Sequence, residues 1–331
     1  MLFAAFVCNF IVKNIYVITN IINVSNKLNI KLGYTPLYKN VPRGTKNKNF
    51  LKKVFHVEHF CGILYKTQER SRKMVKCISV ANQKGGVGKT TTSVNLASCL
   101  AEQKKKVLLV DLDPQGNATS GVGVDKEETD NSVYDVLING TKVSDAIIKT
   151  DFANLSLLSS GIDLAGAEIE MVDIENREYL LKNALDSLKN DFDYIIIDCP
   201  PSLGLLTLNA FTASDSIIMP IQCEYYALEG LSQLTATIRK VKKQLNPSIE
   251  IEGVLLTMYD VRTNLSMLVA EEVKKYYGDK LYKTVIPRNV RLSEAPSYGE
   301  PINYYDKSSK GSEMYIKLAK EVIKNNKKWG K

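Results

Sequence analysis

One glycine-rich turn constrains the fold of this chain more than any other part of the sequence. Residues 77–81 form a short β-rich run before the turn, and residues 90–103 have the pattern of a helix after it. The turn itself reads Lys84, Gly85, Gly86, Val87, Gly88, Lys89, Thr90, Thr91. A strand, such a loop and a helix bring backbone amides and a helix N-terminus together around phosphate oxygens. The sequence therefore predicts a phosphate-binding P-loop.

Short β-rich runs alternate with longer helical stretches after Met74. This alternation predicts an α/β fold of the P-loop NTPase type, with a mostly parallel twisted sheet and helices on both faces. The run Tyr194–Asp198 is apolar up to its last residue, as expected of a strand buried on both faces. The further predicted strands are 77–81, 107–111, 155–159, 216–220, 253–258 and 284–286. Because no Pro/Gly/Ser-rich linker interrupts the pattern, we predict one domain over residues 74–331.

Two of the predicted strands end in carboxylates. Asp111 closes the run 107–111 and Asp113 follows two residues later, and Asp198 closes its own strand before two prolines. The carboxyl ends of parallel strands meet at one edge of a sheet, so these acids are expected beside the phosphate loop. The alternatives are that Asp113 caps a helix before Pro114, and that Asp198 is an ordinary acid in a turn at a strand end.

The motif that begins at Lys84 resembles the deviant Walker A motif of the ParA/Soj partitioning ATPases, which belong to the MinD/ParA superfamily. The acids after the second strand, the Walker B strand and the segment 286–296 also resemble that family, so the resemblance covers residues 76 to about 311. It implies an ATPase with ATP as substrate and Mg²⁺ as cofactor. It also implies that Lys84 reaches the phosphates of a partner subunit across an ATP-sandwich homodimer.

The resemblance gives further residues individual roles. Lys89 is expected to reach the β- and γ-phosphates, and Thr90 to bind Mg²⁺. Asp113 is expected to orient the attacking water and to bind Mg²⁺. Asp111 is expected nearby in the nucleotide site, and Asp198 is expected to hold Mg²⁺ directly or through water. Pro287 and Asn289 are implied to contact the adenine, and the alternative for both is a plain structural turn.

For function, the resemblance implies an ATP-dependent switch that segregates a chromosome or a plasmid. The ATP dimer binds DNA without sequence preference, and a ParB-type centromere-binding protein stimulates hydrolysis and release. Arg262 and Arg291 stand where Soj-like proteins carry DNA-binding arginines, with a surface ion pair as the alternative. Three lysines of one predicted helix are weaker candidates: Lys240, Lys242 and Lys243. A cytoplasmic, nucleoid-associated protein is expected, and control of replication initiation is a further role of some members.

The net charge by itself does not predict DNA binding. The chain carries 44 basic and 36 acidic residues, a formal charge of +8. Residues 1–73, however, hold thirteen of the basic residues and only two of the acids, which leaves 31 basic and 34 acidic residues in the rest. Because this remainder is mildly acidic, DNA binding requires a local basic patch.

Residues 1–73 are predicted to be untranslated upstream sequence, with a disordered basic extension as the alternative. Residues 69–71 can be encoded by GAA-AGG-AGT, which contains a ribosome-binding sequence shortly before the ATG of Met74. Residues 41–45 and 55–58 can both be encoded by the palindrome TGTTCCACGTGGAACA, read in two frames. This string resembles the parS centromere to which ParB binds.

Other function classes fit the sequence less well. The four cysteines after Met74 show no CxxC spacing and do not resemble the cluster ligands of the nitrogenase iron protein, a metabolic relative. Both histidines precede Met74, which excludes imidazole catalysis from residues 74–331. The apolar residues 1–24 are interrupted by polar side chains, so no membrane span is expected. The helix predicted at 312–328 should dock on the sheet, and its alternative is a membrane-surface helix of a MinD-like positioning ATPase.

Overall fold

Seven strands form one sheet in the described part of the chain, residues 75–224 and 227–327 of a computed structural model. Their order across the sheet is β3-β4-β2-β5-β1-β6-β7. Every neighbouring pair is parallel except β3 and β4, which are antiparallel. The strands are β1 Lys76–Val80, β2 Val107–Asp111, β3 Ile147–Lys149, β4 Leu155–Leu158, β5 Tyr194–Asp198, β6 Ser216–Gln222 and β7 Glu250–Thr257. The predicted α/β class is confirmed.

Helices connect the strands in the manner of crossover connections. They are α1 Lys89–Glu102, α2 Asn117–Ser120, α3 Val133–Leu137, α4 Val143–Ala146, α5 Leu164–Glu170, α6 Leu180–Leu185, α7 Leu205–Ala213, α8 Ala227–Gln244, α9 Asn264–Tyr277, α10 Val290–Glu294, α11 Ile302–Tyr305 and α12 Lys310–Asn325. Short 3₁₀ turns occur at Met171–Asp173, Arg177–Tyr179, Asp186–Leu188, Gly278–Lys280 and Ala295–Tyr298. Among the described residues, no helix is both long and apolar enough to cross a bilayer.

The sheet is buried on both faces by helices. Alternate residues of a strand point to opposite faces, so neighbouring residues of one strand pack in different clusters. Within β5, Ile195 and Ile197 belong to one hydrophobic cluster, with side chains of α3 and α5 to α9. Ile196 between them belongs to the other cluster, which α1 and α12 cover. This two-sided burial explains why the strand reads as an unbroken apolar run.

The last helix, α12, packs against the sheet, as predicted. Its apolar stripe of Tyr315, Leu318, Ala319 and Val322 is at most 1% exposed and joins the cluster that contains Ile196. This face is therefore part of the core, which leaves no apolar stripe of α12 for a membrane surface. The predictions for residues 1–73 and for the last residues of the chain lie outside the described residues.

The strand predicted at 284–286 is wrong. The segment runs beside β7, and Ile286 donates a backbone hydrogen bond to Leu256 (2.9 Å), but only isolated bridges form. The carboxylate of Glu321 accepts the backbone N–H groups of Lys283 (2.9 Å) and Thr284 (3.0 Å), which a regular ladder would have used. A side chain from α12 therefore replaces the strand partner. The short antiparallel β3 was not predicted.

Candidate functional site

The glycine-rich loop lies between β1 and α1, at the carboxyl edge of the sheet. Gly86 (φ 72°) and Gly88 (φ 83°) have left-handed backbone conformations, which side chains with a Cβ atom rarely adopt. Gly88 is also the N-cap of α1, where no side chain caps the helix. The first turn of α1 thus leaves backbone amides available to an anion.

A side chain of β7 anchors this loop to the sheet. The Thr257 hydroxyl is within hydrogen-bond distance of the carbonyl oxygens of Val87 (2.8 Å) and Ile221 (2.9 Å). Because Thr257 is fully packed, at 2% exposure, the loop is held between the ends of β6 and β7.

Lys89, at the start of α1, is a buried cation at 7% exposure. Its Nζ donates a hydrogen bond to the carbonyl oxygen of Lys84 (3.2 Å). Burial lowers the pKa of Lys89, and the negative charges of Asp198 and Asp113 act in the opposite direction. A buried ammonium group beside free backbone amides is suited to a polyphosphate.

Lys84 points to a carboxylate of its own chain. Its Nζ lies 2.7 Å from Oε2 of Glu224, and the two side chains are 38% and 45% exposed. The side chain of Gln222 donates to the other oxygen of Glu224, and the backbone N–H of Lys84 donates to Asn82 (3.0 Å). Lys84 is therefore positioned beside the phosphate loop but turned to the end of β6.

Asp198 and Asp111 face each other as register partners on the adjacent strands β5 and β2. Both are fully buried. Burial, followed by the charge of Asp111, raises the pKa of Asp198 to about 8, while hydrogen bonds from Thr90 and Ser93 act to lower it. Ser93 donates to Oδ1 of Asp198 (2.8 Å), whereas Oδ2 is buried without a hydrogen-bond partner among the described residues. This free oxygen is suited to a cation or to a water molecule bound to one.

Asp111 organises the loop that carries Asp113. Its Oδ2 accepts hydrogen bonds from the backbone N–H and the hydroxyl of Thr119, both at 2.8 Å, and its Oδ1 accepts from the N–H of Asp113 (3.2 Å). Burial raises the pKa of Asp111 to about 6 against the effect of these hydrogen bonds. Asp113 accepts from the N–H of Gln115 (3.0 Å) and so caps a turn, but α2 starts after Gly116.

The arrangement fits Mg²⁺ bound together with a nucleotide. No three His, Cys, Asp or Glu side chains within 75–224 and 227–327 are grouped to hold a metal ion by themselves. Magnesium commonly keeps several waters and uses one or two carboxylates plus substrate phosphates. The free oxygen of Asp198 and the nearby Thr90 hydroxyl supply donors of this hard, oxygen type.

The two residues predicted to contact adenine have different surroundings. Pro287 lines a cleft of about 530 Å³ together with Tyr259 and Met314. The side chain of Asn289 instead caps α10, where its oxygen accepts the N–H of Arg291 (2.9 Å). The structure therefore places Pro287 at a cavity and Asn289 at a helix start.

The predicted DNA-binding arginines are exposed and ion-paired. Arg262, 83% exposed, contacts Asp260 through two nitrogens, at 2.9 and 2.6 Å. Arg291, 55% exposed, lies 2.8 Å from Glu294 and 3.4 Å from Asp306. Of the three weaker lysine candidates, which all lie on α8, Lys242 pairs with Glu250.

Sequence reasoning missed four side chains that hold the site together: Glu224, Ser93, Thr119 and Thr257. Ser93 follows Thr90 by three residues on α1, a helical spacing that would have placed both hydroxyls near Asp198. Glu224 and Thr119 carry no comparable signal, since their partners are Lys84 and Asp111 on other segments.

Comparison with known proteins identifies the family. A family model described as an AAA domain matches residues 75–251. The chain is 63% identical over 252 residues to the sporulation initiation inhibitor protein Soj of Bacillus subtilis, covering 76% of this chain and 100% of that protein. It is 51% identical to the chromosome partitioning protein ParA of Myxococcus xanthus, covering 76% of this chain and 89% of that protein.

Solved structures agree with the fold. A Mycobacterium smegmatis structure described as cobyrinic acid a,c-diamide synthase, with an ATP analogue and magnesium bound, is 41% identical with a TM-score of 0.67, covering 78% of this chain and 97% of that one. The cell division ATPase MinD of Pyrococcus furiosus is 30% identical with a TM-score of 0.64, covering 76% and 99%. With 63% identity along the whole of Soj of Bacillus subtilis and 51% identity to a chromosome partitioning protein ParA, this chain belongs to the Soj/ParA family of chromosome-partitioning ATPases.

Proposed function

We propose that this partitioning ATPase works as a DNA-bound switch. ATP closes a sandwich homodimer, the dimer holds duplex DNA without sequence preference, and stimulated hydrolysis releases it. The observation that carries the proposal is the position of Lys84. A second lysine stands beside a phosphate loop that already has Lys89, and it remains partly exposed, at 38%.

Within one subunit, different buried groups bind the phosphates, hold the magnesium ion and orient the attacking water. The amides of the loop and Lys89 bind the phosphates, and Thr90 and Asp198 hold the magnesium ion, which neutralises charge on the transferred phosphoryl group. Asp113 orients the attacking water, because Asp111 and Thr119 fix the loop that presents it. Pro287 and Asn289 contribute to the adenine end of the site.

Hydrolysis by this site is slow until it is stimulated. The described residues contain no histidine, so Asp113 is the candidate to position the attacking water without help from a strong base. A slow basal rate suits a timer, and a ParB-type protein bound at its centromere is the proposed stimulator. The protein is accordingly proposed to be cytoplasmic and associated with the nucleoid, with a replication initiator as a further partner.

Lys84 couples nucleotide binding to dimerisation. In a single subunit, Glu224 neutralises its charge (2.7 Å). Across the sandwich, the same ammonium group contacts the partner's phosphates and supplies the positive charge that an arginine finger supplies in other NTPases. Closing the dimer therefore exchanges a carboxylate for a phosphate, which makes ATP binding and dimerisation one event.

DNA binding follows from the dimer. Arg262 and Arg291 are exposed, and each contact with a phosphate contributes about −0.9 to the slope of log affinity against log salt. A dimer doubles the number of contacts, so residues 74–331, which are mildly acidic, bind DNA weakly in a single subunit and strongly in the dimer. The MinD-like alternative has less support, since the apolar face of α12 is buried.

The test is binding of the full chain to nonspecific duplex DNA across a salt series, with ATP, ADP or no nucleotide. We expect tight, salt-sensitive binding only with ATP, and its loss in Lys84→Ala and Arg262→Ala. Lys320→Ala is the control, because Lys320 is exposed on α12 and its substitution removes the same charge elsewhere. DNA binding that is the same with ATP, ADP or no nucleotide, or no DNA binding at all, would contradict the proposed switch. Sedimentation with anionic liposomes and ATP would then test the MinD-like alternative.

A further inference from the structure

A cleft with a charged lining shares Pro287 with the proposed adenine end of the nucleotide site. This cleft, about 530 Å³ in volume, is formed by the loop after β7, the segment around Pro287 and the start of α12. Its lining contains three cations, Arg262, Arg288 and Lys310, and one acid, Asp260. Only one of the three arginine and lysine side chains, Arg262, was a candidate from the sequence.

Backbone contacts bring these segments together. Tyr259 donates a hydrogen bond to Ile286 (3.1 Å), and Arg288 donates one back to Tyr259 (3.3 Å). At the start of α12, a Cβ atom on Gly311 would lie only 2.7 Å from Cγ of Leu292, so the helix start is pressed closely onto α10. Three distant parts of the chain are thus held around one cleft.

The three cations differ in their partners. Arg262 is bound by Asp260, and Lys310 lies 2.7 Å from Glu313. Arg288 is exposed and forms no ion pair with any residue of the described ranges. The arginine without an ion-pair partner therefore lines the same cleft as two further cations, and such a lining favours a ligand with several negative charges.

Among the described residues that line the cleft, Asp260 is the only acid. Its carboxylate binds the Arg262 guanidinium with two oxygens, the geometry that a phosphate group can also adopt. Hydrogen bonds from Arg262, with a smaller contribution from the charge of Arg288, hold the pKa of Asp260 well below its usual range. Exposed ion pairs of this kind stabilise a fold little, so exchange for a phosphate costs little.

We propose that this cleft binds phosphates of the DNA backbone, with Arg288 and Lys310 extending the surface of Arg262. Asp260 is its internal competitor, which occupies Arg262 until a phosphate displaces it. The inference rests on the proposed DNA binding. It adds Arg288 and Lys310 as contact residues and Asp260 as a carboxylate that competes with the DNA phosphate. The exposed apolar Val261, which also lines the cleft, is compatible with contact to the sugar edge.

The experiment measures affinity of the full chain for duplex DNA with ATP across a salt series, and ATP affinity without DNA. Arg288→Ala should weaken DNA binding at least about tenfold near 0.1 M salt and reduce the salt slope by about 1.8 for a dimer, because one contact per subunit is lost. Lys283→Ala, which removes an exposed charge of the same segment outside the cleft, should change neither value.

Arg288→Lys should keep most of the salt slope, which separates lost charge from misfolding. Asp260→Asn should tighten DNA binding several-fold, because the competitor loses its charge. Unchanged DNA binding in Arg288→Ala, or loss of ATP affinity in place of DNA affinity, would overturn the cleft as a DNA site. If the wild-type chain binds no DNA with ATP, the proposed function fails, and this inference fails with it.

Discussion

The phosphate loop and the cationic cleft both present positive charge, but they are built differently. In the loop, Lys89 is 7% exposed and the flanking groups are backbone amides and buried carboxylates. In the cleft, Arg262 is 83% exposed and its partner is another surface side chain. Buried charges act at low dielectric and in fixed geometry, whereas exposed pairs are screened by salt and exchange freely. Single substitutions should therefore act sharply on the loop and gradually on the cleft.

The largest effect is expected for Lys89→Ala. Removing the buried ammonium group should lower the rate of ATP hydrolysis by at least about 100-fold, the size seen when one preorganised hydrogen-bond donor is lost from an active site. Lys320→Ala, on the exposed face of α12, should retain the wild-type rate. A phosphate-release assay measures both, and a Lys89→Ala protein with near-normal hydrolysis would contradict the assigned role.

Lys84→Ala separates the two lysines of the loop. The variant should still bind ATP within about threefold of wild type, because the amides and Lys89 remain, but it should stay monomeric. Light scattering after gel filtration with ATP measures the mass, and isothermal titration measures the affinity. An ATP-dependent dimer of this variant would show that Lys84 does not act in trans.

On the exposed side, Arg291→Ala should weaken ATP-dependent DNA binding by about tenfold per contact near 0.1 M salt and leave basal hydrolysis unchanged. Its present partners, Glu294 and Asp306, lie on the surface, so the fold should tolerate the change. Fluorescence anisotropy with labelled duplex measures the affinity. A parallel loss of ATPase activity would mean that the surface around Arg291 and the phosphate loop are not separate.

The buried carboxylates predict a pH effect on the protein without nucleotide or metal. Asp198 has a pKa of about 8 in the folded state and about 3.9 when unfolded, so the folded state holds an extra proton between these values. Raising the pH through this window therefore favours unfolding, and the melting temperature should fall by a few degrees from pH 5 to pH 8. Asp198→Asn should flatten the curve. Calorimetry in chelator-containing buffer measures it, and a steeper curve for the variant would contradict this account.

The smallest effect is expected for Glu224→Gln. Without the carboxylate, Lys84 loses its partner in the single subunit, so less ATP should be needed for dimerisation, by about threefold, as expected for a partly exposed pair. The matched control is Glu229→Gln on α8. The mass measured across an ATP titration gives the midpoint; a higher midpoint for Glu224→Gln would show that the pair assists closure.

Some of this molecule could be predicted in detail. Strands β2 and β5 have the predicted bounds, since continuous apolar runs that end in acids have few other solutions in an α/β fold. The order of strand, loop and helix around Lys89 could be predicted too, because it depends on residues that are neighbours in the sequence. The sequence could not show that residues 284–286 form no strand, because the backbone N–H groups of Lys283 and Thr284 bind the carboxylate of Glu321 on α12. The roles assigned to the individual site residues stay predictions.

The sequence by itself determined the phosphate loop and the parallel sheet, because glycines at left-handed positions and apolar strands act over a few neighbouring residues. Only the tertiary structure decided that Lys84 meets Glu224, that Thr257 meets the loop, and that Arg262, Arg288 and Lys310 line one cleft. These pairs lie many residues apart, and packing of the sheet and its helices sets their distances. Local chemistry therefore specified the nucleotide end, and long-range packing assembled the surface proposed to bind DNA.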